Sequence, residues 1–149
     1  MATPFSTIYD RALFKFKGYE LFKINQDVTE PKDVYEVLYV HLQSAQADFE
    51  SLCKSDLSDI DLETQQYNVD LSNKEIEILA LGIRYHYFSY LSANDELFRN
   101  SLSTKDYSLY SPANLLKEIT ATKEQYYREY NHKMIDYTYR FNDIATLKA

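Results

Sequence analysis

The sequence predicts an all-α protein, a bundle of about four main helices followed by an extended C-terminal arm. Three observations carry that prediction. With only two glycines and three prolines in 149 residues, the chain has few residues suited to tight turns. Apolar residues recur at helical spacing along most of its length. Three of the periodic stretches open on a hydroxyl residue followed by proline or by a capping box.

The elements follow in order. Thr3-Pro4 offers a hydroxyl cap and a proline at the first helical position. Phe5, Ile8, Tyr9, Ala12, Leu13 and Phe16 then mark one helical face, with Gly18 as its terminator. Tyr19 to Asp27 reads as a connector. Thr29 and Pro31 open a second helix with the stripe Val34, Leu38, Leu42, Ala45, Phe49 and Leu52, ending at about Cys53. Lys54 to Leu71 is polar and acidic (Asp56, Asp59, Asp61, Glu63 and Asp70) and reads as a surface loop with room for one helical turn.

Ser72-Asn73-Lys74-Glu75 is a capping box, flanked by the staple pair Leu71 and Ile76. The third helix continues through Leu79, Ala80, Ile83, Tyr87, Tyr90 and Leu91 to about Ser92. Gly82 inside it costs about 1 kcal/mol against alanine, a cost that close packing against another helix would explain. A short helix at Asp95 to Leu102 precedes a polar loop. Ser111-Pro112 opens the last long helix, with the stripe Leu116, Ile119, Tyr126, Tyr130, Met134 and Tyr137. Glu124 with Arg128, and Glu129 with Lys133, stand four apart in the favourable order. Tyr137, Tyr139 and Phe141 also alternate as a strand would, so helix is expected to about Ile135. This divides the chain into a bundle domain, 1–136, and an arm, 137–149.

Composition limits function. Hydrophobic residues at 45% and charged residues at 26% are those of a folded domain. A net charge of −7 without a basic run makes a poor nucleic-acid binder. No apolar run approaches a membrane span, and the N-terminus lacks the pattern of a secretory signal, so a cytoplasmic origin is expected. The single cysteine, Cys53, fits a reducing compartment.

No chemistry-bearing constellation emerges. His41, His86 and His132 lie apart, without metal-ligand spacing. The acidic loop lacks the glycine and alternation of a calcium site. Cys53 has no activating base suggested by sequence, and no serine elbow or phosphate-binding glycine loop occurs. Neither catalysis nor a cofactor or metal is expected. The fifteen tyrosines are the informative excess. Tyr127 and Tyr139 cannot share the stripe of Tyr126 and Tyr130, and Tyr85, Tyr107 and Tyr110 raise the same difficulty. Surplus rings on several faces point to burial against a partner. The partner-binding set is Tyr107, Tyr110, Tyr127, Tyr137, Tyr139, Arg140 and Phe141.

Three stretches carry a resemblance: Thr3-Pro4-Phe5-Ser6-Thr7-Ile8-Tyr9-Asp10-Arg11; Asp56-Leu57-Ser58-Asp59 through Leu71-Ser72-Asn73-Lys74-Glu75-Ile76-Glu77-Ile78-Leu79-Ala80; and Lys105-Asp106-Tyr107-Ser108-Leu109-Tyr110-Ser111-Pro112-Ala113-Asn114. They are similar to the head–tail connector proteins of tailed bacteriophages, also called adaptor, neck or head-completion proteins. The likeness runs over most of the chain in order, and Val34 to Cys53 departs most from it. It implies a helical bundle assembling with itself into a ring, commonly of twelve copies, beneath the portal protein. The ring would extend the DNA channel, let DNA pass without specific binding, and dock the next neck or tail-completion protein. It also implies residence in the virion, after assembly in the host cytoplasm, and a C-terminal arm that grips the portal. The acidic loop would then lie at the channel lining or at the tail-facing rim. A small helical regulator, acting as monomer or dimer on one protein partner, is the competing reading.

Overall fold

The computed structural model describes residues 2–16, 31–93 and 112–141. They form β1 (Thr3–Pro4), α1 (Phe5–Lys15), α2 (Pro31–Phe49), β2 (Ile60–Asp61), β3 (Gln66–Tyr67), α3 (Asn73–Ala93) and α4 (Pro112–Phe141). The fold is all-α: the described residues form a bundle of four helices, carrying one small antiparallel sheet of order β1-β3-β2.

Helix α3 is the centre, packing against α1, α2 and α4. Its sequence explains why. Ile76, Leu79, Ala80, Ile83 and Tyr87 form the expected stripe, Tyr90 of that stripe is exposed instead, and Ile78, Leu81 and Phe88 are buried as well. A helix apolar around most of its circumference is stable only when neighbours cover it. The outer helices are amphipathic. α1 contributes Phe5, Ile8, Tyr9 and Ala12; α2 contributes Leu38, Leu42, Ala45 and Phe49; α4 contributes Ile119, Tyr126, Tyr130, Met134 and Tyr137.

Gly82 of α3 lies against Ala45 of α2 and Tyr130 of α4. A Cβ built there would sit 2.5 Å from the Ala45 Cβ and 2.9 Å from the Tyr130 hydroxyl. The Tyr130 hydroxyl bonds the Asp48 carboxylate at 3.0 Å and the Ala45 carbonyl at 3.3 Å. Asp48 also meets His86 Nε2 at 2.7 Å. Arg84 adds a second α3–α4 tie, paired with Glu129 and stacked 4.0 Å over the Tyr126 ring. On the other side, Arg11 and Lys15 of α1 both reach Glu77 of α3.

Several expectations are corrected. Thr3-Pro4 is strand rather than helix cap. The Thr3 hydroxyl donates to the Val69 carbonyl and accepts from the Leu71 amide. The Phe5 amide instead donates to the Gln65 carbonyl, so the hairpin satisfies the start of α1. The acidic stretch after α2 holds β2 and β3 in place of a helical turn. Gln65 turns that hairpin at a φ of 52°. α2 stops at Phe49 rather than Cys53, which leaves Leu52 exposed. α4 runs unbroken to Phe141, so the chain does not leave the bundle at 137. Gly18, the connector, the short helix at 95–102 and Ser111 lie outside the described residues.

Buried His41 lies edge-on to Tyr87, with ring centroids 5.5 Å apart. Burial, and secondarily His86, lower its pKa to about 4 from an ordinary 6.5. Between those values the unfolded chain takes a proton that the folded chain refuses, so stability falls as pH drops through that window. Urea unfolding at pH 7 and pH 5 should show the native chain losing about 2 kcal/mol more than a His41→Gln variant. Equal losses in the two proteins would show that His41 titrates normally.

Candidate partner-binding surface

The C-terminal half of α4 holds the residues that the tyrosine surplus singles out, and the fold sorts them into two kinds. Tyr126, Tyr130 and Tyr137 recur at four and seven residues and face α3. Tyr127, Ile135 and Tyr139 fall on the remaining circumference and are exposed; Tyr139 is 62% accessible and Tyr127 49%. Tyr127 is not alone, for its ring lies 5.5 Å from that of Tyr85 on α3. The pair flanks a cleft with Ile119, Lys123 and Arg128. Arg140 and Phe141 make up the last turn of α4, their side chains not described. Tyr107 and Tyr110 lie outside the described residues.

Tyr137 is the correction within this set. It is fully buried, its ring edge-on to Phe49 at 5.1 Å. Its hydroxyl donates to Glu75 Oε2 at 2.8 Å and accepts from the Lys54 amide at 2.8 Å. Tyr137 is therefore a bundle residue. The alternation with Tyr139 and Phe141 is what two faces of one helix produce when both carry rings.

Glu75 is the hub of this end of the molecule. Its capping box forms as expected: the Ser72 amide donates to Oε1 at 2.8 Å, and the Glu75 amide donates to the Ser72 hydroxyl at 3.2 Å. The Ser55 hydroxyl at 3.1 Å and the Cys53 thiol at 3.0 Å complete the shell. Burial alone would push this carboxyl up. The Ser72 amide and the Cys53, Tyr137 and Ser55 donors outweigh it and hold Glu75 below the usual carboxylate range. The same arrangement, burial first and then the neighbouring carboxylate, pushes the Cys53 thiol up to about 12. Cys53 thus stays protonated at neutral pH and serves as a donor.

Sequence reading missed several exposed apolar side chains, Val40 and Ile135 among them. Phe14 is 92% accessible on the outer face of α1, and Leu62 stands exposed in the β2–β3 turn. Phe14 was detectable as the one ring of α1 off its stripe. Leu62 had no signal beyond being a lone aliphatic among acids. Of the acidic residues around it, Asp56, Asp59, Glu63 and Asp70 are exposed.

Among the described residues, no group of histidine, cysteine and carboxylate side chains could hold a metal ion, and no helix is long and apolar enough to cross a membrane. In comparisons with family models, curated proteins and solved structures, nothing matches this chain.

Proposed function

We propose that this protein is a structural head–tail connector of a tailed phage, assembling with itself into a ring beneath the portal protein and docking the next neck component. The observation that carries the reading is the apolar surface left over after the bundle is filled. Tyr127, Ile135 and Tyr139 on α4, Phe14 on α1 and Leu62 on the hairpin stand exposed on different elements. Ring closure needs two unlike, complementary patches per subunit, because a head-to-tail contact joins different surfaces. The likeness of the three quoted stretches to connector proteins supplies the biological setting. An acidic hairpin and a net charge of −7 suit a conduit that leaves DNA free to slide.

Light scattering on the purified chain, alone and with a portal protein, tests this. The expected result is a species many times 17.6 kDa in at least one of the two samples. A monomer in both removes the ring, and a one-to-one complex with some other protein supports the regulator instead.

Tyr139→Ala should leave the urea midpoint nearly unchanged, since surface substitutions shift stability by about 0.5 kcal/mol or less. Tyr127→Ala also loses the Tyr85 ring contact and should cost about 0.5–1.5 kcal/mol. The same variants should weaken assembly about tenfold or more, as loss of an interface ring does. A variant that unfolds more easily yet assembles normally would reverse the assignment. Truncation separates arm from bundle. Ending the chain after Phe141 should preserve the fold, whereas ending it after Ile135 removes Tyr137 and should lower the thermal midpoint sharply.

A further inference from the structure

A groove of about 600 Å³ opens between α1, α2 and the β2–β3 turn, lined by Phe5, Tyr9, Tyr35, Glu36, Tyr39 and Leu62, with Gln65 beside them. Its walls are rings. Phe5 stacks on Tyr39 with centroids 5.9 Å apart, and Tyr9 lies 5.1 Å from Tyr35. Among the described residues, the lining carries one charge, that of Glu36. A second carboxylate stands close by, for the Tyr35 hydroxyl donates to Asp10 Oδ1 at 2.7 Å. Ring faces present negative charge density, and carboxylates reinforce it. The groove therefore favours a cationic side chain accompanied by apolar groups.

The chain itself carries such a combination. On α4, Arg128, Ile135 and Tyr139 are spaced by seven and four residues, which places them on one helical face. Arg128 has a side chain 79% accessible. Its ion pair with Glu124, at 3.6 Å, is solvent-exposed and gives little up when broken. Ile135 and Tyr139 supply exposed aliphatic and aromatic surface along the same face.

We propose that the groove receives the Arg128–Ile135–Tyr139 face of α4 from a second copy of this chain, with the guanidinium meeting Glu36 and Asp10. This deepens the ring reading above and rests on its self-association. The donor face and the acceptor groove lie on different helices, so each copy can give one contact and take another. Repeated head to tail, such a contact builds a ring when the rotation from copy to copy closes.

Charge reversal tests the contact. Glu36 and Arg128 are both exposed, so Glu36→Arg and Arg128→Glu should fold with native thermal midpoints. Each alone should weaken self-association about tenfold or more, because like charges then face each other across the contact. The double variant Glu36→Arg/Arg128→Glu should recover most of the loss. Sedimentation across a concentration series, with and without portal protein, reads all four proteins. If both single reversals assemble as the native chain does, the groove is not the contact, although the ring stands. If Glu36→Arg loses only portal binding, the portal is the occupant and the second-copy assignment falls. If the native chain stays monomeric in every sample, the ring reading fails and takes this contact with it.

Discussion

Replacing Glu75 with alanine is expected to cost the bundle about 3 kcal/mol or more, because it removes several hydrogen bonds to a charged group, each worth about 1.5–3 kcal/mol. The reason is what it leaves behind. The Ser72 amide, the Ser55 hydroxyl, the Cys53 thiol and the Tyr137 hydroxyl all lose their acceptor at once. The Tyr137 hydroxyl is buried and the other three are part-buried, so a donor left without a partner costs about 1–3 kcal/mol at the first and less where water reaches the others. Glu75→Gln keeps the shape and one acceptor oxygen, and should fall between the native chain and the alanine variant. Acid provides an independent reading of the same hub. The folded carboxyl titrates below its ordinary 4.5, so its contribution is complete above that value. It is lost as pH falls through the lower, folded value. Urea midpoints of native and Glu75→Gln proteins should therefore differ at pH 7 and converge in acid. A gap independent of pH would show that packing, rather than the charge, supplies the stability.

A leucine at position 82 should cost about 3 kcal/mol, at the upper end of the range for overpacking. The site cannot give way. The nearest atom to the added carbon is the Ala45 Cβ, which has no torsion to rotate, and Tyr130 behind it is held by Asp48. Gly82→Ala is the finer test, because two effects oppose. Helix propensity gains about 1 kcal/mol and the clash costs about 1–3 kcal/mol, so a net loss is expected. Pairing it with Ala45→Gly removes the obstructing methyl and should restore part of the loss, which a double-mutant cycle on urea midpoints would measure. A Gly82→Ala variant more stable than the native protein would show that the helices can move apart.

The helices were legible because each writes its buried face as a 3.6-residue rhythm. The stripes of α1, α3 and α4 are buried almost as spaced, and the Ser72–Glu75 cap forms with the expected partners. The sheet was not legible, since two-residue strands are too short to show alternation. Its formation depends on Thr3 bonding Val69 and Gln65 bonding Phe5, each across sixty or more positions of chain. The same competition explains the misplaced start of α1: a local rule gives the Thr3 hydroxyl to its own helix, while the fold gives it to residues 69 and 71. On the candidate surface, Tyr127 and Tyr139 could be assigned from helical phase alone. Tyr137 could not, because its phase placed it in the core while its alternation with Tyr139 suggested an arm. What decides between them is the Glu75 carboxylate, 62 positions away in sequence.

The buried phenol of Tyr137 has a mechanical consequence. A pull on the chain beyond Phe141 enters α4 one turn past the point where that helix is bolted to the start of α3 and to the Lys54 backbone. Tension would thus be shared among three segments rather than peeling one helix away turn by turn, so the bundle resists traction applied at the last turn of α4.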